Sequence, residues 1–91
     1  MNKEDTLPVA KINSSKIISR SGEKVSIACL ATGIPNPSIY WTKDDDEHII
    51  SNGAVIAFQF VNNVHTGEYH CHAHNRKGKS RVSTLLEVIG T

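Results

Sequence analysis

Apolar residues recur at every second position along several short stretches of this chain, the spacing of strands that bury one face. Val25, Ile27, Cys29 and Ala31 alternate with Lys24, Ser26, Ala28 and Leu30, which predicts a strand whose inner side carries the cysteine. Thr32-Gly33-Ile34-Pro35-Asn36-Pro37 reads as turn chemistry, because proline has no N–H to give a ladder. Beyond it, Ile39, Trp41 and Lys43 share one face, with Tyr40, Thr42 and Asp44 on the other, so the tryptophan points inward. The chain is acidic after Asp44, and Ile49-Ile50 followed by Ser51-Asn52-Gly53 predicts a short strand closed by a turn. Ile56 and Phe58 face inward in the next strand, and Tyr69, Cys71 and Ala73 in the one after. A hairpin at Asn75-Arg76-Lys77-Gly78 leads to a last strand with Val82, Thr84, Leu86 and Val88 inside. Val9 to Ile18, broken at Asn13-Ser14-Ser15, gives two further short strands. So many short strands joined by turns predict an all-β domain of packed sheets.

Length and charge narrow the picture. A chain of 91 residues supports one domain and buries only about 60–65% of its unfolded surface, so any covalent staple carries weight. Residues 1–7 are expected to be a leader or linker and 8–90 the domain. No stretch approaches the roughly 18 apolar residues that span a bilayer, and the opening Met1-Asn2-Lys3-Glu4-Asp5-Thr6 is too polar for a secretion signal. The chain is therefore expected to be an excerpt of a larger protein. With a net charge of +1 and no basic cluster interleaved with stacking aromatics, nucleic acid is not the expected partner. Arg76-Lys77-Gly78-Lys79-Ser80-Arg81 reads as a solvated hairpin rather than an anion site. Two cysteines are too few for a tetrahedral cysteine zinc site. No nucleophile-elbow or metal-protease pattern occurs, and a small filled sandwich offers no deep pocket, so neither catalysis nor a cofactor is expected. Asp44-Asp45-Asp46-Glu47 lacks the spaced ligands and central glycine of an EF-hand loop and reads as an acidic turn.

Ser21-Gly22-Glu23-Lys24-Val25-Ser26-Ile27-Ala28-Cys29, then Gly33-Ile34-Pro35-Asn36-Pro37 before Trp41, then Gly67-Glu68-Tyr69-His70-Cys71-His72-Ala73-His74-Asn75 and Gly78 together resemble the intermediate (I-set) immunoglobulin domains. The resemblance spans nearly all of residues 8 to 89. It implies an antiparallel Greek-key sandwich in which Cys29 and Cys71 form a bridge between the sheets, Trp41 packs on that bridge, and the Tyr69 hydroxyl turns back to the chain beside Gly67. Closing the loop between positions 29 and 71 is worth roughly 4 kcal/mol in the chain-entropy view. Two departures stand out. His65 occupies the position where the family usually has aspartate, and the segment from Trp41 to Ile56 is too short for full C′ and D strands. In many relatives that aspartate pairs with an arginine at the start of strand D, so losing the strand relaxes the need for a carboxylate.

Two surfaces follow as candidates for protein binding. A shortened C′/D region leaves the outer side of strands B and E less covered, where Leu30 and Val55 lie beside Ala28 and Ala57, with Phe60 and Val64 near the E–F turn. The alternation of strand F puts His70, His72 and His74 on its outer face, sharing a surface with Tyr40, Thr42, Arg81 and Ser83. Imidazoles at this spacing suit a metal or a pH switch. A recognition face anchored on Tyr40 is the stronger reading, and no metal is assigned. The resemblance implies a recognition module of a cell-surface receptor, adhesion molecule or secreted matrix protein, with other proteins, neighbouring immunoglobulin domains or a second copy as partners. The acceptor sequon at Asn13 agrees with an extracellular location, whereas Asn36 is excluded by Pro37. The alternative is an intracellular link in a muscle-type filament, where Cys29 and Cys71 would remain thiols.

Overall fold

Alternation along the chain becomes strand by strand the burial of a two-layer sandwich. The computed structural model describes residues 4–90. In chain order the strands are β1 (Thr6–Ile12), β2 (Lys16–Arg20), β3 (Val25–Ile34), β4 (Ser38–Lys43), β5 (Asp46–Asn52), β6 (Val55–Phe58), β7 (Gly67–Asn75) and β8 (Gly78–Ile89), with a 3₁₀ turn at Asn63–His65. One sheet has the order β1-β3-β6 and the other β2-β8-β7-β4-β5. The expected two-sheet immunoglobulin-like sandwich forms, with one parallel pair, β2 on β8, among otherwise antiparallel ladders.

That parallel pair follows from the break at Asn13-Ser14-Ser15. The Ser14 hydroxyl donates to the Lys16 carbonyl at 2.7 Å, the Ser14 carbonyl accepts from the Thr84 hydroxyl at 2.8 Å, and the Ser15 carbonyl accepts from Leu85 N–H at 2.9 Å. These bonds stop β1 and carry the chain across to the second sheet, where β2 runs alongside β8.

The core lies between the sheets: Val25, Ile27 and Cys29 from β3, Trp41 from β4, Ile56 from β6, Tyr69 and Cys71 from β7, Leu86 and Val88 from β8, with Val61 closing one end. Cys29 and Cys71 are joined, with their Cα atoms 6.5 Å apart, and Trp41 is completely buried in the same cluster. Its indole Nε1–H donates to the Gly53 carbonyl at 3.0 Å, satisfying the ring's one polar atom. The Tyr69 hydroxyl donates to the His65 carbonyl. Burial, helped by the nearby Asp44 charge, pushes that phenol up to about 12.

Three sequence expectations need correcting. Thr6 and Leu7, assigned to a linker, are the first residues of β1, while Met1 to Lys3 of that segment lie outside the described residues. Thr32, Gly33 and Ile34, read as turn, end β3 instead. Thr6 lies opposite Ile34, and Ile34 N–H donates to the Thr6 hydroxyl at 2.9 Å, so β1 supplies the partner that local chemistry could not announce. Third, the C′ strand is not abbreviated: β5 has seven residues. The shortening falls entirely on D, which is absent among the described residues. Gly53, at φ 102°, turns the chain from β5 into β6. Lys43 keeps the direction expected of it, on the face of Trp41. Its Nζ donates to the Val64 carbonyl at 2.7 Å and stands 5.9 Å from the centre of the Tyr69 ring, tying β4 to the 3₁₀ turn. In that turn His65 fills its position by capping: Asn62 N–H donates to His65 Nδ1 at 3.0 Å, and the ring packs 4.8 Å from that of Phe58.

Candidate functional site

The outer face of β4, β5, β7 and β8 gathers most of the residues singled out from the sequence. Register explains why: β7 lies between β4 and β8, placing Tyr40 and Arg81 either side of His72, and Thr42 and Ser83 either side of His70. The Tyr40 and His72 rings stack at 4.5 Å and 5°, and the His74 ring approaches Tyr40 at 5.9 Å.

These side chains differ in what they can offer a partner. Thr42 and His70 are only 5% and 7% exposed, which corrects their assignment to an open recognition face. His70 Nε2 lies 3.0 Å from the Asp44 carbonyl and 3.4 Å from a Glu68 carboxylate oxygen. Both can only accept, so Nε2 carries the proton and Nδ1, at 2.6 Å, accepts from the Ser83 hydroxyl. The Thr42 hydroxyl is engaged by His72 Nε2 at 2.8 Å. Burial lowers the His72 pKa, and the charges of Arg81 and Lys79 push the same way. Tyr40 and His72 are half-buried, and His74 and Arg81 are exposed. The three imidazoles thus face different partners, and among the described residues no three His, Cys, Asp or Glu side chains converge as a metal site.

Alternation placed Asp44 beside Tyr40 and Thr42, but the sequence reading did not bring the rest of the acidic turn to this face. Asp44 adopts a left-handed conformation, φ 54°, which aspartate tolerates better than most residues. Its N–H donates to the Glu68 carbonyl at 2.7 Å, and its carboxylate accepts from Glu68 N–H at 2.9 Å. A side chain at Gly67 would stand 2.6 Å from Lys43 Cε and 2.9 Å from that carboxylate, so glycine is needed for the close approach. The result is a hollow of about 510 Å³ lined by Asp44, Asp45, Asp46, Glu47 and Glu68 together with Tyr40, Thr42, His70, His72 and Arg81. Only the two-residue connection between β4 and β5, bringing the turn beside the start of β7, could have signalled this.

The second candidate surface divides. Leu30 and Val55, 65% and 50% exposed, sit near one another on the outside of β3 and β6, where Ala28 pairs with Val55. Phe60 and Val64 are equally open but lie in the β6–β7 connection, past the end of the ladder where Phe58 meets Val25. Asn13 is exposed at the corner between β1 and β2, as is Ser15 of its sequon.

Residues 8–75 match a family model described as immunoglobulin domain. The chain is 35% identical over 77 residues to Interference hedgehog of Drosophila melanogaster, covering 78% of this chain and 9% of that protein. To Interference hedgehog of Drosophila grimshawi it is 36% identical over 81 residues, or 81% of this chain and 9% of that protein. It therefore spans under a tenth of the length of these relatives. Among solved structures, the N-terminal four Ig domains of Dscam1 isoform 8.4 superpose with a TM-score of 0.84 at 24% identity, covering 93% of this chain and 21% of that one. A chimeric titin Z1Z2 gives 0.80 at 18% identity over 98% of this chain and 100% of that one. Likenesses this remote in sequence show the fold, and on fold and family model together this chain is a member of the immunoglobulin-domain family.

Proposed function

We propose that this chain is an intermediate-type immunoglobulin module serving as a non-catalytic protein-recognition domain of a larger cell-surface or secreted protein. The observation that carries the reading is the Cys29–Cys71 bridge through the core, because structural disulfides persist in oxidising compartments and are rare in the cytosol. Strand content supports the subtype: β5 supplies a C′ strand that seven-stranded constant-type domains lack, without the C″ of nine-stranded variable-type domains. The exposed Asn13 sequon and the likeness to Interference hedgehog proteins point the same way. Recognition runs through the outer face of β4, β5, β7 and β8, with Tyr40, His72, His74 and Arg81 available and Thr42 and His70 holding the face in shape.

Mass spectrometry on protein from its native source, with free thiols blocked before digestion, tests this. The expected result is a bridged Cys29–Cys71 peptide pair and glycan on Asn13. Two blocked thiols and a bare Asn13 would overturn the reading in favour of an intracellular filament domain.

A further inference from the structure

A net charge of +1 conceals a strongly polarised face. At the end where β7 begins stand Asp44, Asp45, Asp46, Glu47 and Glu68, around the larger hollow. Toward the other end His72 lies opposite Arg81 and His74 opposite Lys79; these four, with Tyr40, Ala73 and Ser80, line a second hollow of about 220 Å³ that contains no carboxylate. Asp45, Glu47, Lys79 and Arg81 are exposed, and none forms an ion pair with another described residue. From Glu68 to His74 along β7 is roughly 20 Å at the rise of a strand. That is about twice the screening length at physiological salt, so the two ends act as separate poles.

A face with opposite poles is complementary to a reversed copy of itself. We propose that this face docks on the same face of a second copy of the chain, related by a two-fold axis that lies between the two sheets and runs obliquely across the strands. The acidic pole of each copy then meets the basic pole of the other, which is the self-complementarity a two-fold interface requires. Tyr40, His72 and Arg81 line both hollows and sit at the centre, where an aromatic and arginine anchor is most effective. The size is adequate. Over the nine residues of β7 the sheet is four strands wide, because β2 lies beside Leu85–Ile89 of β8, at and past the start of β7; that face measures roughly 570 Å², so two copies would bury about 1,100 Å², enough for a specific but weak interface. The proposal rests on the recognition reading and names its partner.

Sedimentation equilibrium of the chain at low and high salt tests it, alongside the charge-reversal variants K79E/R81E and D45K/D46K/E47K, the latter needed because the acidic pole would stay net negative with fewer reversals. The wild-type chain is expected to dimerise at low salt and to weaken at least about tenfold in 0.5 M salt. Each variant alone should be monomeric, because its face now carries one sign at both poles, and an equimolar mixture of the two should restore a heterodimer. Circular dichroism melts confirm that both variants fold. A wild-type chain that is monomeric at low salt, variants that dimerise as well as the wild type, or a mixture that fails to associate would each overturn self-docking. None of these outcomes touches the recognition reading, which stands or falls on the native thiol state.

Discussion

Replacing Tyr69 by phenylalanine removes one oxygen from the centre of the molecule and little else. The Tyr69 ring is 1% exposed and lies edge-on to Phe58 at 5.6 Å, contacts that phenylalanine keeps. What is lost is the donation to the His65 carbonyl, which ties β7 to the 3₁₀ turn. A net hydrogen bond is worth about 0.5–1.5 kcal/mol, and an orphaned buried acceptor costs up to about 3 kcal/mol. His65 is half-exposed, so water partly repairs its carbonyl, and the cost should fall near 1–2 kcal/mol. For a domain of this size each kcal/mol lowers Tm by about 4–8 °C. Calorimetry should therefore show a drop of at least about 4 °C, with an unchanged urea m-value because the exposed surface is the same. The alkaline limb provides a second readout. The folded phenol titrates at about 12 against about 10 when unfolded, so the unfolded chain loses this proton first. The stability it contributes is complete below pH 10 and is lost as pH rises through 12. Tyr69→Phe should flatten that loss. An unchanged Tm together with an unchanged alkaline limb would refute the bond and with it the account of how the turn is held.

Trp41→Ala empties the core beside the bridge and frees the Gly53 carbonyl, so urea melts should show a loss of about 3–5 kcal/mol; a loss below about 1 kcal/mol would mean the indole is not central. Tyr40→Ala removes the stack on His72 and should cost about 0.5–1.5 kcal/mol by the same melts, whereas a ring free in solvent would leave the midpoint unmoved. The lowered pKa of His72 means the unfolded chain takes up that proton first, so its contribution is complete above about pH 6.5 and is lost as pH falls below it. His72→Gln should accordingly show a smaller drop in urea midpoint between pH 7.5 and 5.5 than the wild type, and equal drops would contradict the burial of this imidazole.

Strand directions were legible from the sequence because each depends on a local rule: one face buried, one face wet. That rule correctly placed Cys29, Trp41, Tyr69 and Cys71 inside, and Tyr40, His72 and His74 on the opposite face. It failed where a residue's environment comes from a distant strand. Gly33 and Ile34 look like turn until β1 pairs with them. Alternation put His70 outside but could not reveal that the Asp44 carbonyl and the Ser83 hydroxyl close over it. The acidic turn was seen as composition alone, since its position beside β7 depends on the left-handed Asp44 and on the space left by Gly67.

The sizes of the two sheets favour one of the two candidate faces for the proposed recognition. Without a D strand the first sheet has only β1, β3 and β6, and β6, its edge, has four residues. β1 lies against residues 29–34 of β3 and β6 against residues 25–28, so the outer face around Leu30 and Val55 is only two strands wide at any point. A surface that small needs no partner to explain it, and its short edge strand offers little template for pairing. The five-stranded face has nearly twice as many strand residues and carries charges that no described neighbour neutralises. It also holds its shape through buried polar bonds from His70 and Thr42. Those bonds fix the positions of Tyr40, His72 and Arg81 before any partner arrives, so docking there would cost little further ordering. The short first sheet therefore favours the proposed recognition by the other side of the sandwich.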